Sequence, residues 1–93
     1  MSYRVTFTRS ASRELMKLPP RIRHRFDDGF DFVQSDPRGS RPGTFMVHEL
    51  RGGRGLWTMI VGPFRGIYRI VGNEVVFVAF RPRPTAYRDL SSL

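Results

Sequence analysis

Residues 56–80 run Leu56-Trp57-Thr58-Met59-Ile60-Val61-Gly62-Pro63-Phe64-Arg65-Gly66-Ile67-Tyr68-Arg69-Ile70-Val71-Gly72-Asn73-Glu74-Val75-Val76-Phe77-Val78-Ala79-Phe80. Three runs rich in β-branched and aromatic residues are separated by Gly62-Pro63 and Gly72-Asn73. Such pairs close tight hairpins, because glycine supplies the positive φ that the turn demands. Consecutive tight hairpins make an antiparallel meander. With two-residue turns, Val61 opposes Phe64, Met59 opposes Gly66 and Trp57 opposes Tyr68 on one face. Ile60 opposes Arg65, Thr58 opposes Ile67 and Leu56 opposes Arg69 on the other. A purely structural sheet more usually carries short polar side chains between such apolar neighbours. Arg65 and Arg69 are therefore candidate ligand contacts; the bland alternative is that their stems lie over apolar surface with their heads in water.

Continued without irregularity, the pairing at Gly72-Asn73 sets Arg81 opposite Phe64, on the face away from Arg65. For the two arginines to meet, a bulge or the break at Pro82 must turn the chain. Arg83 is the other residue that could reach the site.

Upstream, Tyr3, Val5 and Phe7 alternate with Arg4 and Thr6, the period of a half-buried strand. Ser10-Ala11-Ser12 can cap a short helix that turns Ala11, Leu15, Met16 and Leu18 inward, and Pro19-Pro20 stops it. Pro20 suits the first turn of a second helix, where its missing N–H costs nothing. Ile22, Phe26, Phe30 and Val33 form one apolar stripe along that helix. Ser35 to Gly43 is a loop by its glycine, proline and serine content. A further strand is expected near 44–50. The expected fold is α+β: a strand, then a helical hairpin packed on a twisted, mostly antiparallel sheet.

The chain has 93 residues, which predicts one domain spanning 1–93. It contains no cysteine, which excludes disulfides, thiolate metal sites and a cysteine nucleophile. His24 and His48 do not form a ligand pair by spacing, so neither metal nor cofactor is expected. His48 and Glu49 resemble an acid–base pair, but neighbours on a strand point to opposite faces, which favours a surface histidine and a solvated glutamate. Gly52-Gly53-Arg54-Gly55 lacks the spacing and lysine of a P-loop. No targeting or membrane-spanning segment is visible, so a cytoplasmic protein is expected.

The formal net charge is +8, and every basic residue except Lys17 is arginine. The charge divides evenly between residues 1–43 and 44–93. Codon bias could produce this, but so could a polyanionic partner, since guanidinium groups hold phosphate in a bidentate fork. The densest basic segment is Arg81-Pro82-Arg83-Pro84-Thr85-Ala86-Tyr87-Arg88. Its prolines stiffen it and forbid further ladder pairing. Beside an arginine-bearing sheet face, it could hold a phosphodiester while the 2′-hydroxyl attacks the neighbouring phosphate. The candidate residues for such cleavage are Arg65, Arg81, Arg83 and Tyr87. Arg51, Arg54, Arg69 and Arg88 are candidate RNA contacts.

Several of these pieces, in this order, resemble the RelE/ParE superfamily of bacterial and archaeal toxins. They are the opening strand Tyr3–Phe7, the helix ending Leu15-Met16-Lys17-Leu18-Pro19, Asp36-Pro37, and Glu49-Leu50-Arg51-Gly52. They continue with the Trp57 strand running into Phe64-Arg65-Gly66-Ile67-Tyr68, and then Arg81, Arg83 and Tyr87. The resemblance implies ribosome-dependent, metal-independent cleavage of mRNA in the ribosomal A site. Arg65, Arg81 and Arg83 would stabilise the phosphate, and Tyr87 would assist proton transfer. It implies an antitoxin partner, acidic and partly disordered, held in a hetero-oligomeric complex. Many RelE-like nucleases carry basic residues where this chain has Thr58 and Ile60. That departure keeps open a ParE-type poison of DNA gyrase, or a degenerate non-toxic relative.

Overall fold

The computed structural model describes residues 2–40, 43, 45–52 and 55–90. The chain runs β1 (Arg4–Phe7), α1 (Arg9–Met16), α2 (Pro20–Ser35), β2 (Met46–Glu49), β3 (Leu56–Val61), β4 (Phe64–Val71) and β5 (Glu74–Pro82), with a 3-10 turn at Arg83–Thr85. The five strands form one sheet in the order β1-β5-β4-β3-β2. The neighbours β2 to β5 are antiparallel, and β1 joins β5 in parallel. The hairpin of α1 and α2 lies on one face.

The meander forms as its turn residues demand. Gly62 and Gly72 adopt φ of 56° and 59°, in the left-handed region that only glycine enters without strain. Every β3–β4 pair expected from the sequence is present, from Leu56 opposite Arg69 to Val61 opposite Phe64.

The helix starts differ in detail from expectation. Thr8, rather than the serines after it, caps α1, its hydroxyl accepting from the Ala11 N–H at 3.1 Å. Met16 is 66% exposed, so it does not join the core. Ala11 and Leu15, one turn apart, pack on the core instead, and Leu18, just beyond the helix, is buried. Pro20 opens α2, and Phe26 and Val33 of its stripe are fully buried.

Beneath the helices, Phe26, Phe77 and Phe80 meet ring to ring, with Phe26 edge-on to Phe80 at 5.1 Å between centroids. Gly66 makes room for them. A Cβ there would stand 2.9 Å from Phe26 Cε1 and 3.2 Å from Phe77 Cε1. Tyr68 is buried in the same layer, and its hydroxyl donates to the Pro37 carbonyl at 2.6 Å. That bond ties the loop after α2 to the middle of the sheet.

A second apolar cluster lies on the opposite face. Leu56, Ile67, Val78 and Ala79 are covered there by Ala86 and Leu90. The C-terminal segment therefore folds back over the sheet rather than projecting as a stiff basic arm. No described helix is long and apolar enough to cross a membrane.

Candidate functional site

The position of Arg81 depends on a bulge. Tyr68 pairs with Phe77, but the next β4 residue, Ile67, pairs with Ala79. Val78 is the extra residue. An added residue reverses the alternation of every side chain beyond it. Phe80 thereby joins Phe77 under the helices, and Arg81 moves to the other face, directly opposite Arg65. The uninterrupted register, which set Arg81 against Phe64, is thus replaced by the bulged one. The strand also outlasts Phe80. Pro82 stands opposite Phe64, and the Arg83 N–H donates to the Pro63 carbonyl at 2.8 Å. The ladder tolerates Pro82 because a residue that follows it supplies the next donor.

Cross-strand pairs now lay out the face away from the helices in rows. Met46, Ile60, Arg65 and Arg81 form one row across four strands. His48, Thr58, Ile67 and Ala79 form the next. Leu56, Arg69 and Val76 form the third. Side chains two residues apart along a strand lie about 7 Å apart, so adjacent rows are close enough for one ligand to touch both.

Arg65 is half-buried and bends back over its own turn. Its Nη1 donates to the Gly62 carbonyl at 2.9 Å and the Phe64 carbonyl at 3.0 Å. Together with the Arg83 bond to Pro63, three successive carbonyls hold these two arginines at one corner of the sheet. Nε and Nη2 of Arg65 meet no acceptor among the described residues. Arg83 is exposed, and its guanidinium makes no hydrogen bond or ion pair among the described residues.

Arg81 is engaged differently. Its Nε donates to Glu14 Oε2 at 3.2 Å, and its Nη1 donates to the Arg88 carbonyl at 2.9 Å. A hollow of roughly 450 Å³ opens beside this contact, lined by Glu14, Arg81, Thr85 and Arg88. Tyr87 is 43% exposed and stands over the second row, its hydroxyl 3.3 Å from Thr58 Oγ1. Thr58 is fully buried, between the sheet and that phenol.

The remaining expected contacts are dispersed. Arg69 lies two rows from Arg65, half-buried between Leu56 and Val76. Arg51 is exposed just past the end of β2 that is farther from Arg65. Arg88 is exposed and presents its carbonyl to Arg81. Arg54 lies outside the described residues. The face therefore has one cluster, with Arg65, Arg81, Arg83 and Tyr87, and two outlying arginines at its other end.

One residue that the sequence reading set aside belongs in the cluster by position. His48 is opposite Thr58, in the row beneath Tyr87. The expected strand near 44–50 contained His48, but only the observed β2–β3 register sets it opposite Thr58.

The backbone architecture, a helical hairpin on one face of a five-stranded sheet, is shared with known toxin structures. The chain is 30% identical to a chain of the toxin-antitoxin complex RelBE2 from Mycobacterium tuberculosis, with a TM-score of 0.73 over 89% of this chain and 100% of that one. It is 25% identical to a chain of the archaeal RelE-RelB complex from Pyrococcus horikoshii OT3, with a TM-score of 0.71 over 89% and 97% of the two chains. A mutant of the Escherichia coli toxin RelE in the free state shares the fold, with a TM-score of 0.76 and 19% identity over 99% and 93%. No family model matches the sequence, and neither does any curated protein. The chain belongs to the RelE superfamily of toxins.

Proposed function

We propose that this protein is the toxin of a toxin–antitoxin pair and that it cleaves mRNA on the ribosome. The observation that carries the reading is the bulge-dependent pairing of Arg65 with Arg81 on the face away from the helices, with Arg83 and Tyr87 beside them. The solved relatives RelBE2 and archaeal RelE-RelB are toxin–antitoxin complexes, which supports an antitoxin partner here. A protein of net charge +8 would favour an acidic one.

Cleavage would proceed by attack of a ribose 2′-oxygen on the adjacent phosphorus, forming a 2′,3′-cyclic phosphate as the bond to the 5′-oxygen breaks. The pentavalent phosphorus carries an extra negative charge. Fixed guanidinium donors stabilise that charge most where water is partly excluded. Arg65 and Arg83 supply the donors at the open corner. Arg81 adds its charge from a bracing position, because Glu14 and the Arg88 carbonyl already hold it. The Tyr87 hydroxyl, poised over the second row, donates a proton to the departing 5′-oxygen.

Primer extension on a translated message with purified protein tests the reading. New 5′ ends within codons occupied by the ribosome are expected. Intact message under those conditions, together with trapped supercoiling intermediates of gyrase, would overturn it.

A further inference from the structure

We propose that His48 is the group that takes the proton from the attacking 2′-hydroxyl; the assignment rests on the nuclease reading above. The reaction needs an acceptor on the same face as the phosphate-binding arginines. Thr58 lies between two side chains there. Tyr87 approaches its hydroxyl to 3.3 Å, and His48 faces it from β2 as its cross-strand partner. Directly opposed side chains have Cβ atoms about 4.5–5.5 Å apart. His48 and Tyr87 thus both stand against one small, buried residue on the face that carries Arg65 and Arg81.

The other acceptors near the face are committed elsewhere. The Glu14 carboxylate receives both Arg81 and the Phe80 N–H. Glu49 is opposite Trp57 and shares the other face. Asp89 already has a partner. His48 is exposed and makes no hydrogen bond or ion pair among the described residues. Its neutral imidazole carries a ring nitrogen that can accept a proton. The titratable and charged groups that face it are Tyr87 from the C-terminal segment and Arg65 and Arg69 from β4, diagonally across β3. Arg51 follows it just past the end of β2, and β3 offers the uncharged Thr58.

In the balanced step, a neutral ring nitrogen of His48 takes the 2′-proton as the new oxygen–phosphorus bond forms. The bond to the 5′-oxygen breaks, and that oxygen takes the Tyr87 proton. Imidazolium and phenolate then exchange protons with water.

The test measures cleavage of ribosome-bound mRNA between pH 5.5 and 8.5 for the wild type, His48→Ala and His48→Gln, with His24→Ala as a control on the exposed surface of α2. His48→Ala is expected to lower kcat by about 10²-fold or more, leave KM and the thermal midpoint unchanged, and lose the acidic limb of the pH profile. Added imidazole is expected to restore part of the rate. His48→Gln, which keeps the polar bulk but cannot take the proton, is expected to match His48→Ala. Wild-type rate with the acidic limb retained in both His48 variants would overturn the assignment. Absence of cleavage by the wild-type chain would overturn the nuclease reading itself, a result distinct from cleavage that survives the loss of His48.

Discussion

Glu14 holds the Phe80 backbone and the Arg81 side chain at once. Its Oε1 accepts from the Phe80 N–H at 3.1 Å, and its Oε2 accepts from Arg81 Nε at 3.2 Å. The parallel partner of β5 ends at Phe7, so no strand reaches Phe80 on that side. A carboxylate from α1 takes the place of the missing carbonyl. Arg81 relays the contact to the Arg88 carbonyl and so fastens the segment that carries Tyr87.

Removing that carboxylate should loosen the segment as well as the sheet edge. Glu14→Ala leaves a donor without its acceptor, at an expected cost of about 1–3 kcal/mol. Glu14→Gln keeps an oxygen for Phe80 but not the charge on Arg81, and should fall between the alanine variant and the wild type. Urea unfolding gives the stabilities. Amide exchange should rise across residues 83–90 in the alanine variant; unchanged protection there would disprove the fastening role.

Arg65 is expected to matter for cleavage far more than for folding. Its two intramolecular bonds run to carbonyls of a surface turn, which water can satisfy in its absence. Arg65→Ala should change stability by about 1 kcal/mol or less and cut the cleavage rate by about 10²–10³-fold. Circular dichroism melts beside primer extension separate the two effects. A variant that unfolds would assign Arg65 to structure.

Tyr68 should make stability fall in alkaline solution. Burial, reinforced by the Asp36 carboxylate nearby, pushes its phenol far above the ordinary range. The folded chain therefore holds the phenolic proton more tightly than the unfolded chain. The contribution is complete below about pH 10, where the free phenol titrates, and is lost as pH rises toward the folded value. Tyr68→Phe should flatten this decline and, at neutral pH, cost about 1–3 kcal/mol because the Pro37 carbonyl loses its donor. Chemical denaturation at pH 7 and at pH 10.5 reads both effects.

Gly66→Ala should destabilise by about 1–3 kcal/mol through overpacking. The added methyl would press on Phe26, Phe77 and Phe80, all three rings being enclosed by the same layer. A thermal midpoint equal to wild type would mean that the rings can give way freely.

The β3–β4 pairing was legible because Gly62-Pro63 fixes the turn and alternation does the rest. The bulge at Val78 was not. Residues 75–80 are apolar throughout, so the run has no period in which a slip could show. Both faces of β5 are buried there, one by helices and the other by Ala86 and Leu90. Met16 was misplaced because it follows Leu15 by about 100° around the helix, off the side on which Ala11 and Leu15 pack. The folding back of the C-terminal segment had a faint signal in Ala86 and Leu90, four apart in an otherwise basic stretch. His48 was set aside because two adjacent strand residues cannot share a target. That argument separates it from Glu49 but is silent on what stands across the sheet.

Val78 has a consequence for the history of such chains. A single apolar codon inserted or lost between Phe77 and Ala79 would leave the net charge and the order of every motif intact. It would also carry the last guanidinium of the strand from one side of the sheet to the other. Sequences that align well up to this point can thus differ in whether the patch is assembled at all. An alignment that closes the gap silently would not show which.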